Sequence, residues 1–169
     1  CIMSKIVRII IRSNSITKIL SQLKYIFKLS KMNSFYLRGG LQHKLGPKLS
    51  FFLVLVKLIL ANGEVFVCFE GDQILGGLIS FKGIPFKSKY FIDCLVVTPK
   101  YQGLGIGSNL ISEYESYLLN NNHGNYMISL KTLKHNNYKI ISFYHKNGYI
   151  LLNSFKDDKF ILLSKVINN

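Results

Sequence analysis

The chain has 169 residues, 49% of them hydrophobic, and carries 22 Lys or Arg against 8 Asp or Glu, a formal net charge of +14. That length and apolar content suit one compact domain with a real core and exclude a disordered chain. No apolar run reaches the roughly 20 residues that span a bilayer, and no basic start, apolar middle and small-residue cleavage site marks a secretory leader.

In chain order, "KIVRIIIR" (5 to 12) reads as a first strand. "SITKILSQLKYIFKLSK" (15 to 31) places Ile16, Ile19, Leu20, Leu23, Ile26 and Phe27 at helical spacing behind a Ser15 N-cap. Residues 33 to 48 hold Gly39, Gly40, Gly46 and Pro47 and read as a loop. "LSFFLVLVKLILA" (49 to 61), interrupted by Lys57, reads as a buried or amphipathic helix that stops at Asn62-Gly63. The period then changes. "EVFVCFE" (64 to 70), a Gly-Asp turn and "QILGGLISFKG" (73 to 83) predict a β-hairpin, and "SKYFIDCLVVTP" (88 to 99) a third strand closed by Pro99. A helix is expected over about 103 to 119, with Leu104, Leu110, Ile111, Tyr114 and Leu118 on one face. "YMISLKTL" (126 to 133) predicts a strand, "NYKIISFYHKNG" (137 to 148) a short helix, and "YILLNSF" with "KFILLSKVI" a last hairpin. The order is β-α-α-β-β-β-α-β-α-β-β. Hairpins imply antiparallel pairs, and the strand–helix–strand unit around residue 103 implies one parallel pair.

The charge is uneven: residues 1 to 63 hold eleven Lys or Arg and no acid. A basic third can attract nucleic acid, an anionic surface or an anionic ligand. It can also reflect a chain rich in Lys, Asn and Ile throughout, and the lysines form no dense block. Cys1, Cys68 and Cys94 are odd in number and widely spaced, which argues against a disulfide framework and fits a reducing, intracellular and cytoplasmic setting. With His43, His123, His135 and His145 they show no zinc spacing, so no metal is expected. The chain begins at Cys1 and not Met, which leaves the completeness of its N-terminus open.

"PKYQGLGIGSNLI" (99 to 111) sets three glycines between a strand and a helix. A helix N-terminus presents unpaired amides and partial positive charge, and glycines let that backbone approach an anion such as a phosphate. A Walker A loop needs Lys then Ser or Thr, whereas Gly107 is followed by Ser108-Asn109. A dinucleotide fingerprint needs a third Gly or Ala where Ser108 stands, and an acid about 20 residues on, where "SLKTLKH" has none. Gln102, Gly103, Leu104, Gly105, Ile106 and Gly107 match a third pattern, Gln/Arg-x-x-Gly-x-Gly/Ala. "CLVVTPKYQGLGIGSNLI" resembles the acyl-CoA loop of the GNAT superfamily of N-acetyltransferases, and "NYKIISFYHKNGYI" resembles that family's second signature, with Asn137, Phe143, Tyr144, Gly148 and Tyr149 in its places. Ile140 replaces the usual small residue, and Tyr149 the more common Phe.

The resemblance implies an α/β (α+β) fold: a mixed, mostly antiparallel sheet of six to seven strands with helices on both faces. It implies a single N-acetyltransferase domain over 1–169, with signatures at about 88–120 and 137–149. Acetyl-CoA would be the co-substrate, and a small-molecule or peptide amine the acceptor, for a monomer or homodimer with no membrane span. Backbone amides from about Gln102 to Gly107, with Ser108 at the helix start, would hold the pyrophosphate. A pantetheine arm would pair with Leu95 and Val97, with an oxyanion donor near Val96. Asn137 would contact the cofactor or cap its helix. Tyr144 would contact the cofactor and serve as general acid: a phenol near pKa 10 stays protonated beside a thiol near 8.5. Asp93, a lone mid-strand carboxylate in "YFIDCLVV", is the candidate base or an ammonium contact, set by alternation on the face of Phe91 and Leu95. Cys94 reads as core. Two other classes stay open: a CoA-binding module without turnover, and a nucleic-acid or acidic-partner binder using residues 1 to 63. Tyr25, Phe27, Phe35 and Tyr36 form no recognised base-stacking motif there.

Overall fold

The computed structural model describes residues 5–9, 28, 63–83, 90–121, 124–133, 138–152 and 159–168. The helices expected over 15–31 and 49–61 and the loop between them lie outside the described residues, apart from Lys28, which is helical. Asn137 also lies outside them.

Seven strands form one sheet: β1 (Lys5–Ile9), β2 (Glu64–Glu70), β3 (Gln73–Lys82), β4 (Tyr90–Val97), β5 (Tyr126–Leu133), β6 (Ile150–Leu151) and β7 (Phe160–Ile167), ordered β1-β2-β3-β4-β5-β7-β6. Helix α1 (Ile106–Asn121) links β4 to β5, and α2 (Tyr138–Lys146) follows β5. The parallel pair is β4–β5; every other pairing is antiparallel. From β2 onward this is the expected element order, with α1 between the two parallel strands as a crossover requires. Gly71, at φ 55°, supplies the left-handed residue of the β2–β3 turn.

Helix α1 forms because Leu110, Ile111, Tyr114 and Leu118 recur on one face, and all four are buried. They pack on Phe66, Leu78, Tyr90, Ile92, Ile128 and Leu163, the residues that β2, β3, β4, β5 and β7 turn to one side. Each fully buried aliphatic side chain there contributes about 1.5–3 kcal/mol. Tyr144 of α2 joins the same cluster, so both described helices lie on this face. Leu104 departs from its expected place. It is 55% exposed and precedes the helix, because Gly103 and Gly105, both at φ 81°, hold the chain outside helical space until Ile106.

A second departure is in β4. Ser80 pairs with Ile92 and Ile79 with Cys94, so Asp93 is a surplus residue, a β-bulge. The bulge reverses the alternation. Phe91, opposite Phe81, and Leu95, opposite Leu78, therefore fall on opposite faces. The shared face expected for Phe91 and Leu95 is corrected accordingly.

Candidate active site

The bulge coincides with a fork in the sheet. β4 and β5 pair over three rungs, Tyr90–Ile92 with Ile128–Leu130, and no further, although β4 runs on to Val97 and β5 to Leu133. A β-bulge bends its strand and adds twist, which carries Cys94–Val97 away from β5 while β3 stays paired with them. The amide of Thr98 donates to the Leu75 carbonyl at 2.8 Å, which fixes the sense of alternation at this end. Leu95 and Val97 therefore turn their backbone groups toward the fork, and Val96 turns its own toward β3. Consistent with this, the Val96 carbonyl lies 2.7 Å from where a Cβ on Gly76 would stand, so only glycine fits there. The Val96 amide thus faces β3, and the amides of Leu95 and Val97 face the fork.

At the end of β4 the chain makes one 3-10 turn, Pro99–Tyr101, pinned to β3 by Thr98 Oγ1 donating to Ile74 O (3.3 Å) and by Tyr101 Oη donating to Gln73 Oε1 (3.1 Å). Sequence reading missed Tyr101 as the anchor of this loop; its signal was an aromatic residue, buried here, inside a polar glycine run. Gln102 also differs from expectation. Its amide donates to Pro99 O at 3.2 Å and its side chain donates to Val97 O at 3.0 Å, so Gln102 braces the loop and is not an amide left over for an anion.

Among the described residues, no partner takes the amides of the rest of the loop. Gly105 O accepts the first intrahelical bond, from Asn109 N at 3.0 Å, which makes Gly105 the N-cap. A glycine cap has no side chain to satisfy the amides of Ile106, Gly107 and Ser108, and the first turn holds no acid. Among the described residues, no atom approaches within 4 Å of where a Cβ would stand on Gly103 or Gly105, so the loop is open there. Gly107 serves a different need. A Cβ there would meet the Phe143 ring at 3.1 and 3.3 Å and Val97 Cγ2 at 3.7 Å. The last glycine of the first signature and the Phe of the second are one contact.

On α2, Tyr144 is 8% exposed, its ring edge-on to Phe143 at 5.1 Å and to Tyr149 at 5.9 Å. Tyr138, Lys139, Ser142, Phe143 and Lys146 of α2 line an open groove of about 470 Å³. Asp93 is half-buried at the bulge. Burial pushes the Cys94 thiol well above its ordinary range and the Asp93 charge adds to this, so the thiolate a nucleophile needs is suppressed, as befits a core residue. Among the described residues, no three His, Cys, Asp or Glu side chains gather as metal ligands, and no helix is long and apolar enough to cross a membrane.

Comparison with known proteins follows the same lines. A search of curated proteins finds no match. Among solved structures, an acetyltransferase from Streptococcus agalactiae is 14% identical with a TM-score of 0.67, covering 97% of this chain and 98% of its own. The PaiA N-acetyltransferase of Thermoplasma acidophilum, solved with coenzyme A, is 17% identical with a TM-score of 0.64, covering 95% and 98%. An acetyltransferase from Bacillus subtilis, solved with CoA, is 16% identical with a TM-score of 0.54, covering 68% and 82%. At such identities the likeness is one of fold. Residues 31–149 match the Acetyltransferase (GNAT) family, and the chain belongs to that family.

Proposed function

We propose that residues 1–169 form one N-acetyltransferase domain that moves an acetyl group from acetyl-CoA to a primary amine by direct attack. The observation that carries this reading is the fork between β4 and β5 beside an uncapped, glycine-led helix start. A long, thin ligand with a diphosphate at one end and an amide-bearing arm at the other suits both features at once.

The residues present fit such a ligand. The amides of Ile106, Gly107 and Ser108, with those of Gly103, Leu104 and Gly105 in the turn before them, would take the diphosphate. Gln102 would hold the loop's shape. Leu95 and Val97 would pair with the arm as a further strand would. Asn137, which precedes α2 in sequence, would contact the cofactor or cap that helix. Acetyl-CoA supplies the acetyl group as a thioester. The chain's own task is to place it, polarise its carbonyl and manage two protons. A backbone amide of Leu95 or Val97 would donate toward the carbonyl oxygen. Tyr144 holds the proton that a departing thiolate needs. Asp93, at the mouth of the fork, takes the proton the amine loses or orients the amine.

The test is thiol release from acetyl-CoA across a panel of primary amines, with calorimetry of acetyl-CoA binding alongside. Amine-dependent thiol release supports the reading. Binding without release would leave a CoA-binding module, and no binding would overturn the assignment.

A further inference from the structure

The Lys165–Glu115–Tyr149 cluster lies behind the proposed acid, and none of its three residues has a role in the reading above. Lys165 follows Ile161 and Leu163 in alternation, so β7 turns it toward the helices. An inward lysine needs an acid. Its Nζ donates to Glu115 Oε2 at 2.7 Å and to Asn147 O at 3.0 Å, while Tyr149 Oη donates to Glu115 Oε1 at 3.1 Å. Tyr149 is wholly buried, so its hydroxyl has an acceptor where the more usual Phe would need none.

The end of α2 connects this cluster to Tyr144. Tyr149 N donates to Tyr144 O at 3.0 Å and Gly148 N to His145 O at 2.9 Å, with Gly148 at φ 84°, a Schellman motif. In that motif the residue after the glycine packs on the residue three places before the cap, here Tyr149 on Tyr144. Lys165 closes the arrangement by taking Asn147 O, a carbonyl the helix end leaves over.

We infer that Glu115 and Lys165 act as positioning residues, fixing the Tyr149 ring through its hydroxyl and thereby aiming Tyr144. This rests on the acetyl-transfer reading for its catalytic consequence, but its structural content can be read without turnover. Tyr149→Phe removes one oxygen and keeps the ring. Its control is Tyr117→Phe, which removes a second tyrosine bond to a glutamate, Tyr117 Oη to Glu64 Oε1 at 3.0 Å, two residues further along α1 than Glu115. Both variants should lose stability, Tyr149→Phe the more because its hydroxyl is buried. Only Tyr149→Phe should lower kcat, by about 3- to 10-fold, with KM for acetyl-CoA unchanged. Glu115→Gln keeps an oxygen for the hydroxyl and should retain most of the rate, whereas Glu115→Met should reproduce the loss. NMR of protein carrying 13C at the tyrosine ring, with the Tyr144 signal assigned from Tyr144→Phe, should show that signal shifted in Tyr149→Phe and unmoved in Tyr117→Phe. An unmoved Tyr144 signal, or equal kcat in the two variants, would overturn the inference. Should wild-type protein release no thiol with any amine, the transfer reading falls, and the Tyr144 signal still decides whether the cluster aims that ring.

Discussion

The two ends of α1 are built on opposite plans. At its start, side chains are withheld: Gly103, Gly105 and Gly107 leave amides without caps, β4 and β5 part, and among the described residues the loop is open. Toward its end, side chains satisfy one another. Arg8 of β1 donates to Glu64 at 2.7 and 3.1 Å, Tyr117 donates to the same carboxylate at 3.0 Å, and the Arg8 guanidinium lies 4.1 Å from the Tyr117 ring centre. Desolvation opposes the Arg8 charge, yet the Glu64 partnership wins and its pKa is raised. The contrast teaches that one helix can be held by side chains at one end and leave backbone amides open at the other.

Four substitutions test that separation. Gly107→Val should do most. Its side chain must enter the space held by Phe143 and Val97, weakening acetyl-CoA binding by more than about 10²-fold in calorimetry, while overpacking costs about 1–3 kcal/mol in urea unfolding. Tyr144→Phe should lower kcat by about 10²-fold and leave the acetyl-CoA affinity within about twofold; an unchanged kcat would remove the phenol from the chemistry. Gly105→Ala meets no neighbour among the described residues, so its cost is backbone strain of about 1–2 kcal/mol, and affinity should fall by about tenfold. At the far end, Arg8→Ala should cost about 1 kcal/mol, modest because the pair is partly exposed, with kcat and KM as in the wild type. A turnover defect in Arg8→Ala matching that of Gly105→Ala would erase the distinction between the ends.

Much of this was legible in the sequence, for local reasons. The Gly-Asp turn announced the β2–β3 hairpin, the spacing of Leu110, Ile111, Tyr114 and Leu118 announced the buried face of α1, and the glycine run announced a helix start without a side-chain cap. What could not be read was register and reach. "YFIDCLVV" looks regular, and only its pairing with β3 shows that Asp93 is one residue too many. Leu104 fits a helical pattern by spacing alone, since nothing in the letters says that Gly103 and Gly105 adopt left-handed backbone. Glu115 and Lys165 are 50 positions apart, and their union depends on β7 lying beside β5. Two hints were present: an inward Lys among Ile161, Leu163 and Ile167, and a Tyr where the second signature commonly has Phe.

The surplus residue in β4 has a genetic corollary. Loss of the single codon for Asp93 would change no other side chain, yet it would let Cys94 follow Ile92 in unbroken register and allow β4 to zip further along β5, closing the cleft. Point substitution at the same place would keep the count and hence the opening. This enzyme family member should therefore tolerate a replaced letter at position 93 better than a missing one, because the architecture of its cleft depends on chain length there before it depends on chemistry.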